Sequence, residues 1–171
     1  LIEIVLKNIP NKNKKINILD MGTGSGVILA SLLQELPNSS GIGTDISIDA
    51  LKVAKINLTN LNVFRRSKLV NTNWSQGIKT NVFDIVTCNP PYIDNKYIKH
   101  LPTEIKEYEP HIALKGGKNG LDSFKSLLPL VRNVMKTNAL LVLEIGFDQS
   151  KLLENILYKN KFKLKDIIKD I

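Results

Sequence analysis

Ile16-Asn17-Ile18-Leu19-Asp20-Met21-Gly22-Thr23-Gly24-Ser25-Gly26-Val27 is the stretch on which the fold turns. A short, mainly apolar run ending at Asp20 fits a strand buried on both faces. Three glycines at alternate positions follow, and Val27 to Leu36 then carries apolar residues at helical spacing. Strand, glycine turn and helix in that order bring backbone N–H groups to a helix N-terminus, where a ligand can approach the main chain closely. A dinucleotide fingerprint needs Gly-x-Gly-x-x-Gly, but its last position is Val27 counted from Gly22 and Leu29 counted from Gly24. The spacing disfavours a nicotinamide dinucleotide.

Outward from this turn, strand-length and helix-length segments alternate. Strands are expected at Ile16 to Asp20, Gly41 to Asp45, Lys68 to Asn71, Phe83 to Asn89, Ala139 to Ile145 and Phe162 to Ile168. Helices are expected at Val27 to Leu36, Ile48 to Leu58 (with Ser47 and Asp49 at its start), Ser123 to Met135 and Gln149 to Lys159. Pro129 should kink or divide the third. Such alternation gives an α/β fold, a doubly wound, mostly parallel sheet with helices on both faces, whose ligands bind beyond the carboxyl ends of the strands. Residues 1–171 are read as one domain. The long connection Pro90 to Asp122 begins at a strand end, and a loop of that length in a compact domain is usually functional.

Two strand ends carry chemistry. Asp45, in Gly43-Thr44-Asp45-Ile46, stands at the roughly 20-residue spacing from the glycine turn where a carboxylate reaches ribose hydroxyls. Asn89-Pro90-Pro91-Tyr92 follows the strand Phe83 to Cys88 directly. A carboxamide nitrogen is a poor nucleophile because its lone pair is delocalised into the carbonyl. The side-chain oxygen of Asn89 and the main-chain carbonyl of Pro90 can each accept one of its N–H groups, orienting the nitrogen and stabilising developing positive charge. Pro90 and Pro91 restrict the backbone, and Tyr92 offers an aromatic face to a planar group. No general base is required, so His100 and His111 are assigned no role, and Cys88 reads as a small core residue.

Asp20 with Gly22-Thr23-Gly24-Ser25-Gly26 resembles motif I of the Rossmann-like class I methyltransferases. That resemblance implies S-adenosyl-L-methionine as cofactor, with the loop backing its methionine part and Asp20 helping to hold its amino group. Asn-Pro-Pro-Tyr marks methyltransferases acting on planar nitrogen. The block Glu109-Pro110-His111-Ile112-Ala113-Leu114-Lys115-Gly116-Gly117-Lys118-Asn119-Gly120-Leu121, with Leu143-Glu144-Ile145-Gly146 and Gln149, resembles the HemK family of protein-(glutamine-N5) methyltransferases. The resemblance covers nearly the whole chain. It implies a peptide-chain release factor as protein substrate, methylated on the glutamine of its Gly-Gly-Gln loop, or the ribosomal protein on which another branch of the family acts, with cofactor contacts at Asp20, Gly22 to Gly26, Asp45, Ile46, Asn73, Trp74 and Asn89.

Three departures from the family pattern stand out. Asn73 replaces an aspartate, the family's helical N-terminal domain is missing, and the chain ends at Asp170-Ile171 before the family's last strand, which implies a fragment with an open sheet edge.

Composition narrows the setting. The chain has 171 residues, 43% of them hydrophobic, enough for one core. No run approaches the roughly 18 apolar residues of a membrane span, and the first residues are not a secretory signal, so a cytoplasmic location without membrane attachment is expected. One cysteine excludes an internal disulfide. With 24 basic against 16 acidic residues, a net charge of +8 favours anionic surroundings such as ribosomes or RNA. No metal is expected. The rival readings are an exocyclic-amine methyltransferase of DNA or RNA and a degenerate RNA- or ribosome-binding domain; neither accounts for the block from Glu109 to Leu121.

Overall fold

A computed structural model of the chain describes residues 1–103 and 110–169. In chain order the elements are α1 (Ile2–Lys7), β1 (Asn17–Met21), α2 (Val27–Glu35), β2 (Ser40–Asp45), α3 (Ile48–Asn60), β3 (Ser67–Asn71), β4 (Phe83–Cys88), β5 (Ile93–Asp94), α4 (His111–Leu114), β6 (Lys115–Gly117), α5 (Asp122–Val134), β7 (Met135–Leu143) and α6 (Ser150–Lys159). They divide into two compact units, Leu1–Asn89 with Asn133–Glu144 and Pro90–Arg132 with Ile145–Ile171.

The first unit holds a five-stranded parallel sheet in the order β3-β2-β1-β4-β7. The order reverses between β1 and β4, so the crevice at their carboxyl ends is where a ligand of such a sheet is expected. Ile18, Leu19 and Met21 of β1 and Val86 and Cys88 of β4 are fully buried, the two-faced burial that the mainly apolar runs imply. Val5 of α1, Leu29, Leu32, Leu33 and Leu36 around α2, and Leu58 of α3 join Ile16, Ile18, Ile85 and Val142 in one core. Each buried leucine there contributes about 2 kcal/mol of transfer free energy.

Helix ends are closed by named groups. The Ser47 hydroxyl accepts from the Ala50 N–H at 3.2 Å and Asp49 occupies the first turn of α3, as the sequence indicated. At the other end of α2 the Arg66 guanidinium donates to the carbonyls of Leu33 (2.6 Å), Leu36 (3.1 Å) and Ser39 (2.9 Å). These carbonyls lie at and just beyond the negative end of the helix dipole, so a fixed cation suits them.

Three expectations are corrected. Phe162 to Ile168 forms no strand: its alternating pattern is strand-like, but a strand needs a neighbour's ladder, none is present among the described residues, and Leu164, Ile167 and Ile168 are exposed. Pro129 does not divide α5, which runs unbroken from Asp122 to Val134. Pro129 and Lys125 are both exposed, so the carbonyl deprived of a helical partner faces water. The strand expected from Ala139 begins at Met135, which pairs with Phe83 before a register shift carries Leu140 opposite Ile85; Asn138, with φ of 61°, makes the bulge.

In the second unit, Phe124, Leu127, Leu128 and Val131, at helical spacing along α5, are fully buried. The connection after Tyr92 is more ordered than its composition indicates, with β5 and β6 paired in parallel. Glu109 of the HemK-like block, and Asp170 and Ile171, lie outside the described residues.

Candidate active site

The glycine turn leaves β1 with Gly22, Gly24 and Gly26 all at positive φ (67°, 55° and 77°), a conformation side chains rarely adopt. Gly26 also closes against α3: a Cβ there would stand 2.9 Å from that of Ala54. Around Gly24 such an atom would meet nothing within 4 Å, so this edge of the turn is open. Thr23 N–H donates to the Thr44 carbonyl at 2.9 Å and Gly24 N–H to Asp45 Oδ2 at 2.9 Å. The other Asp45 oxygen accepts from Ser47 N–H at 2.8 Å, so one carboxylate ties the glycine turn to the start of α3. The exposed Ser25 is anchored through its carbonyl, which accepts from Asn57 Nδ2 at 2.9 Å.

Beneath the turn Asp20 is 1% exposed. Its Oδ2 accepts from the Thr23 hydroxyl at 2.6 Å and its Oδ1 from the Thr87 hydroxyl at 2.7 Å. Burial pushes its pKa from 3.8 up to about 6, against the two hydroxyl hydrogen bonds that lower it, and the Asp45 charge adds to the rise. Burial likewise pushes the Cys88 thiol up, with Asp20 and Asp45 adding to it, so Cys88 is no nucleophile.

The segment after β3 completes the wall. Trp74, at φ of 53°, brings its ring to 3.6 Å from where a Gly22 Cβ would be. The amide of Asn71 donates to the carbonyls of Asp45 (3.0 Å) and Ile46 (2.9 Å), leaving the Ile46 side chain 54% exposed beyond the carboxylate. Asn73 is exposed, its carbonyl accepting from Gln76 N–H at 3.2 Å. Among the described residues, two buried hydroxyls, Thr44 Oγ1 beside Asp45 and Ser75 Oγ beside Trp74, have no hydrogen-bond partner.

Because Met21 of β1 pairs with Cys88 of β4, Asn89 leaves the sheet alongside Gly22. Asn89 is exposed. Thus Asp20, Gly22 to Gly26, Asp45, Ile46, Asn73, Trp74 and Asn89 all lie at or just beyond the carboxyl ends of β1 to β4 in the first unit. Pro90, Pro91 and Tyr92 belong to the second unit, where Pro90 is buried and Pro91 and Tyr92 are half-buried. Sequence reading missed Thr87; its signal was one hydroxyl residue inside the apolar strand Phe83 to Cys88.

The model of the methyltransferase small domain family matches residues 2–114. The chain belongs to this family. This methyltransferase small domain is 40% identical over 154 residues to the release factor glutamine methyltransferase of Caulobacter vibrioides, a match covering 90% of the chain and 53% of the relative. It is also 40% identical over 155 residues to the bifunctional methyltransferase of Rickettsia typhi, covering 91% of the chain and 30% of that protein. The chain therefore spans about half the length, or less, of these curated relatives. Among solved structures, the ribosomal protein L11 methylase of Lactobacillus delbrueckii subsp. bulgaricus superimposes with a TM-score of 0.71 over 99% of the chain and 70% of its own, at 18% identity. The domain has the Rossmann-like class I methyltransferase fold.

Proposed function

We propose that this methyltransferase small domain transfers a methyl group from S-adenosyl-L-methionine to the side-chain amide nitrogen of a glutamine, its substrate being a peptide-chain release factor met in the cytoplasm near the ribosome. One observation carries the reading: Asn89, an exposed carboxamide, leaves β4 in register with the glycine turn that leaves β1. The similarity to release factor glutamine methyltransferases supplies the choice of amide over base.

The residues fit the cofactor. An open turn of positive-φ glycines, a strand-end carboxylate, an exposed aliphatic side chain at Ile46 and the Trp74 ring suit the methionine, ribose and adenine parts in turn. Asp45 uses each oxygen once on the backbone, which leaves lone pairs for ribose hydroxyls. Asp20 lies too deep for direct contact with a large ligand, but as a buried anion under the turn it favours a cationic amino group above it. Asn73 accepts from an adenine amino group through its side-chain oxygen, Oδ1.

When bound, S-adenosyl-L-methionine supplies an electrophilic methyl group. The chain's own residues supply alignment: Asn89 Oδ1 and the Pro90 carbonyl each accept one N–H of the glutamine amide, which turns its nitrogen lone pair toward the methyl and stabilises the charge that develops there. Pro90 and Pro91 keep the acceptors from swinging away, and Tyr92 packs on the flat amide. The amide's surplus proton leaves to water, since an N-alkylated amide cation is strongly acidic.

Incubation with labelled cofactor and a release factor, a release factor whose loop glutamine is replaced, and RNA or DNA tests the proposal. Label is expected on the intact release factor alone, located on the loop glutamine by mass spectrometry. Label confined to nucleic acid overturns the reading in favour of an exocyclic-amine methyltransferase.

A further inference from the structure

We propose that Gln149 is a positioning residue that clamps the Pro90–Tyr92 turn, and so sets the direction of the main-chain acceptor at Pro90. This rests on the function proposed above for the turn itself. Gln149 stands at the start of α6, is 5% exposed, and spends its side-chain amide entirely on main-chain groups of three separate segments. Nε2 donates to the Tyr92 carbonyl at 2.7 Å and to the Asn119 carbonyl at 3.1 Å, while Oε1 accepts from Gly146 N–H at 2.9 Å. Both N–H donors are used, and all three bonds lie within the second unit.

The surroundings are shaped to this one arrangement. A Cβ at Gly120, which has φ of 67°, would overlap both the Tyr92 carbonyl oxygen and Gln149 Nε2. A Cβ at Gly116 would stand 2.7 Å from the Tyr92 carbonyl carbon, so the main chain of this segment passes Tyr92 at a distance that only glycine permits. Just downstream, β5 pairs with β6, Asn95 N–H donates to the Gly117 carbonyl at 3.2 Å, and Asn119 N–H donates to Asp94 Oδ2 at 3.1 Å. The chain is therefore held from Tyr92 onward.

Upstream of that anchor, two proline rings fix φ at Pro90 and Pro91. What remains free in the turn is chiefly the rotation of the peptide planes, and Gln149 holds the plane that ends the turn by its carbonyl. A short, stiff arm fixed at one end carries its other end with it. Loss of the Gln149 donors would release the Tyr92 and Asn119 carbonyls from their common donor and let the Pro90 carbonyl rotate. An acceptor misplaced by about 1 Å costs on the order of 100-fold in rate for a reaction that depends on alignment.

The test uses the whole chain with Gln149→Leu, which removes both donors at similar volume, and Gln149→Glu, which keeps the shape if the leucine variant fails to fold. A protonated carboxyl at this site can donate one hydrogen bond to Tyr92 and accept from Gly146; the ionised form can donate none. We expect Gln149→Leu to lower kcat on release factor about 10- to 100-fold, with S-adenosylhomocysteine binding within about twofold of the parent. Gln149→Glu should regain turnover as pH falls, a profile the parent lacks and a purely structural defect would not produce. Amide hydrogen exchange provides a readout independent of activity: residues 89–97 should lose protection in Gln149→Leu while β1 and β4 keep theirs. Unchanged protection at 89–97, or equal losses in cofactor affinity and kcat, overturns the assignment. If the parent chain methylates no release factor, the functional reading of the turn fails, and the exchange comparison still decides the clamp.

Discussion

Replacing Asp20 by asparagine isolates the energetic consequence of burying an acid under the cofactor turn. The side chain is 1% exposed, and its pKa rises from 3.8 to about 6. A difference of that size corresponds to about 3 kcal/mol of disfavoured ionisation in the folded state. In the unfolded chain the carboxyl ionises near 3.8, whereas in the folded chain it holds its proton until about pH 6. Between those values the unfolded state has fewer protons, so this group makes the fold less stable as pH rises through the window and adds no further change above it. Asparagine has the same shape and no charge; one of the two threonine hydroxyls can turn to accept from its Nδ2 while the other still donates to its Oδ1. Urea unfolding of both chains at intervals from pH 4 to pH 7.5, followed by circular dichroism, should therefore show Asp20→Asn gaining about 3 kcal/mol on the parent across the interval. A stability difference that stays constant within about 0.5 kcal/mol would refute the account of a strained buried carboxylate.

Other substitutions separate the roles of the remaining residues. Asn89→Ala should keep S-adenosylhomocysteine affinity within about twofold by calorimetry and lower kcat about 100-fold, as removal of a transition-state hydrogen-bond group does. Asp45→Ala should weaken the cofactor by about tenfold or more and also lower the melting temperature, since the Gly24 and Ser47 N–H groups lose their acceptor. Gly26→Ala should destabilise the chain by about 1–3 kcal/mol in denaturant unfolding, because φ is 77° and the new methyl would stand 2.9 Å from Ala54 Cβ.

How far the residues announced this arrangement depends on the length of the signal. The central strands β1 and β4 and the helices α2 and α3 were legible because burial on both faces of a parallel strand leaves a mainly apolar run, and a covering helix leaves a period. The pair β5 and β6, two and three residues long, carries too few positions for any period to register. At Phe162 to Ile168 the reverse occurred: alternation was present without a partner, and a strand is a property of two segments. The site followed the same logic. Spacing alone placed Asp45 and Asn89 at strand ends, but that Asp20 is sealed between two threonine hydroxyls depends on Thr87, remote in sequence and adjacent only through the register of β1 with β4.

The order in which the sheet is completed has a consequence for synthesis. β4 takes its outer neighbour from β7, whose residues leave the ribosome roughly 50 positions after it, a wait on the order of several seconds at ordinary elongation rates. During that interval the side of β4 that β7 will cover has no partner and is open to pairing with any passing extended segment. Slowing translation ahead of Met135 should lengthen this exposed stage, and a chaperone that shields strand flanks should raise the yield of soluble product.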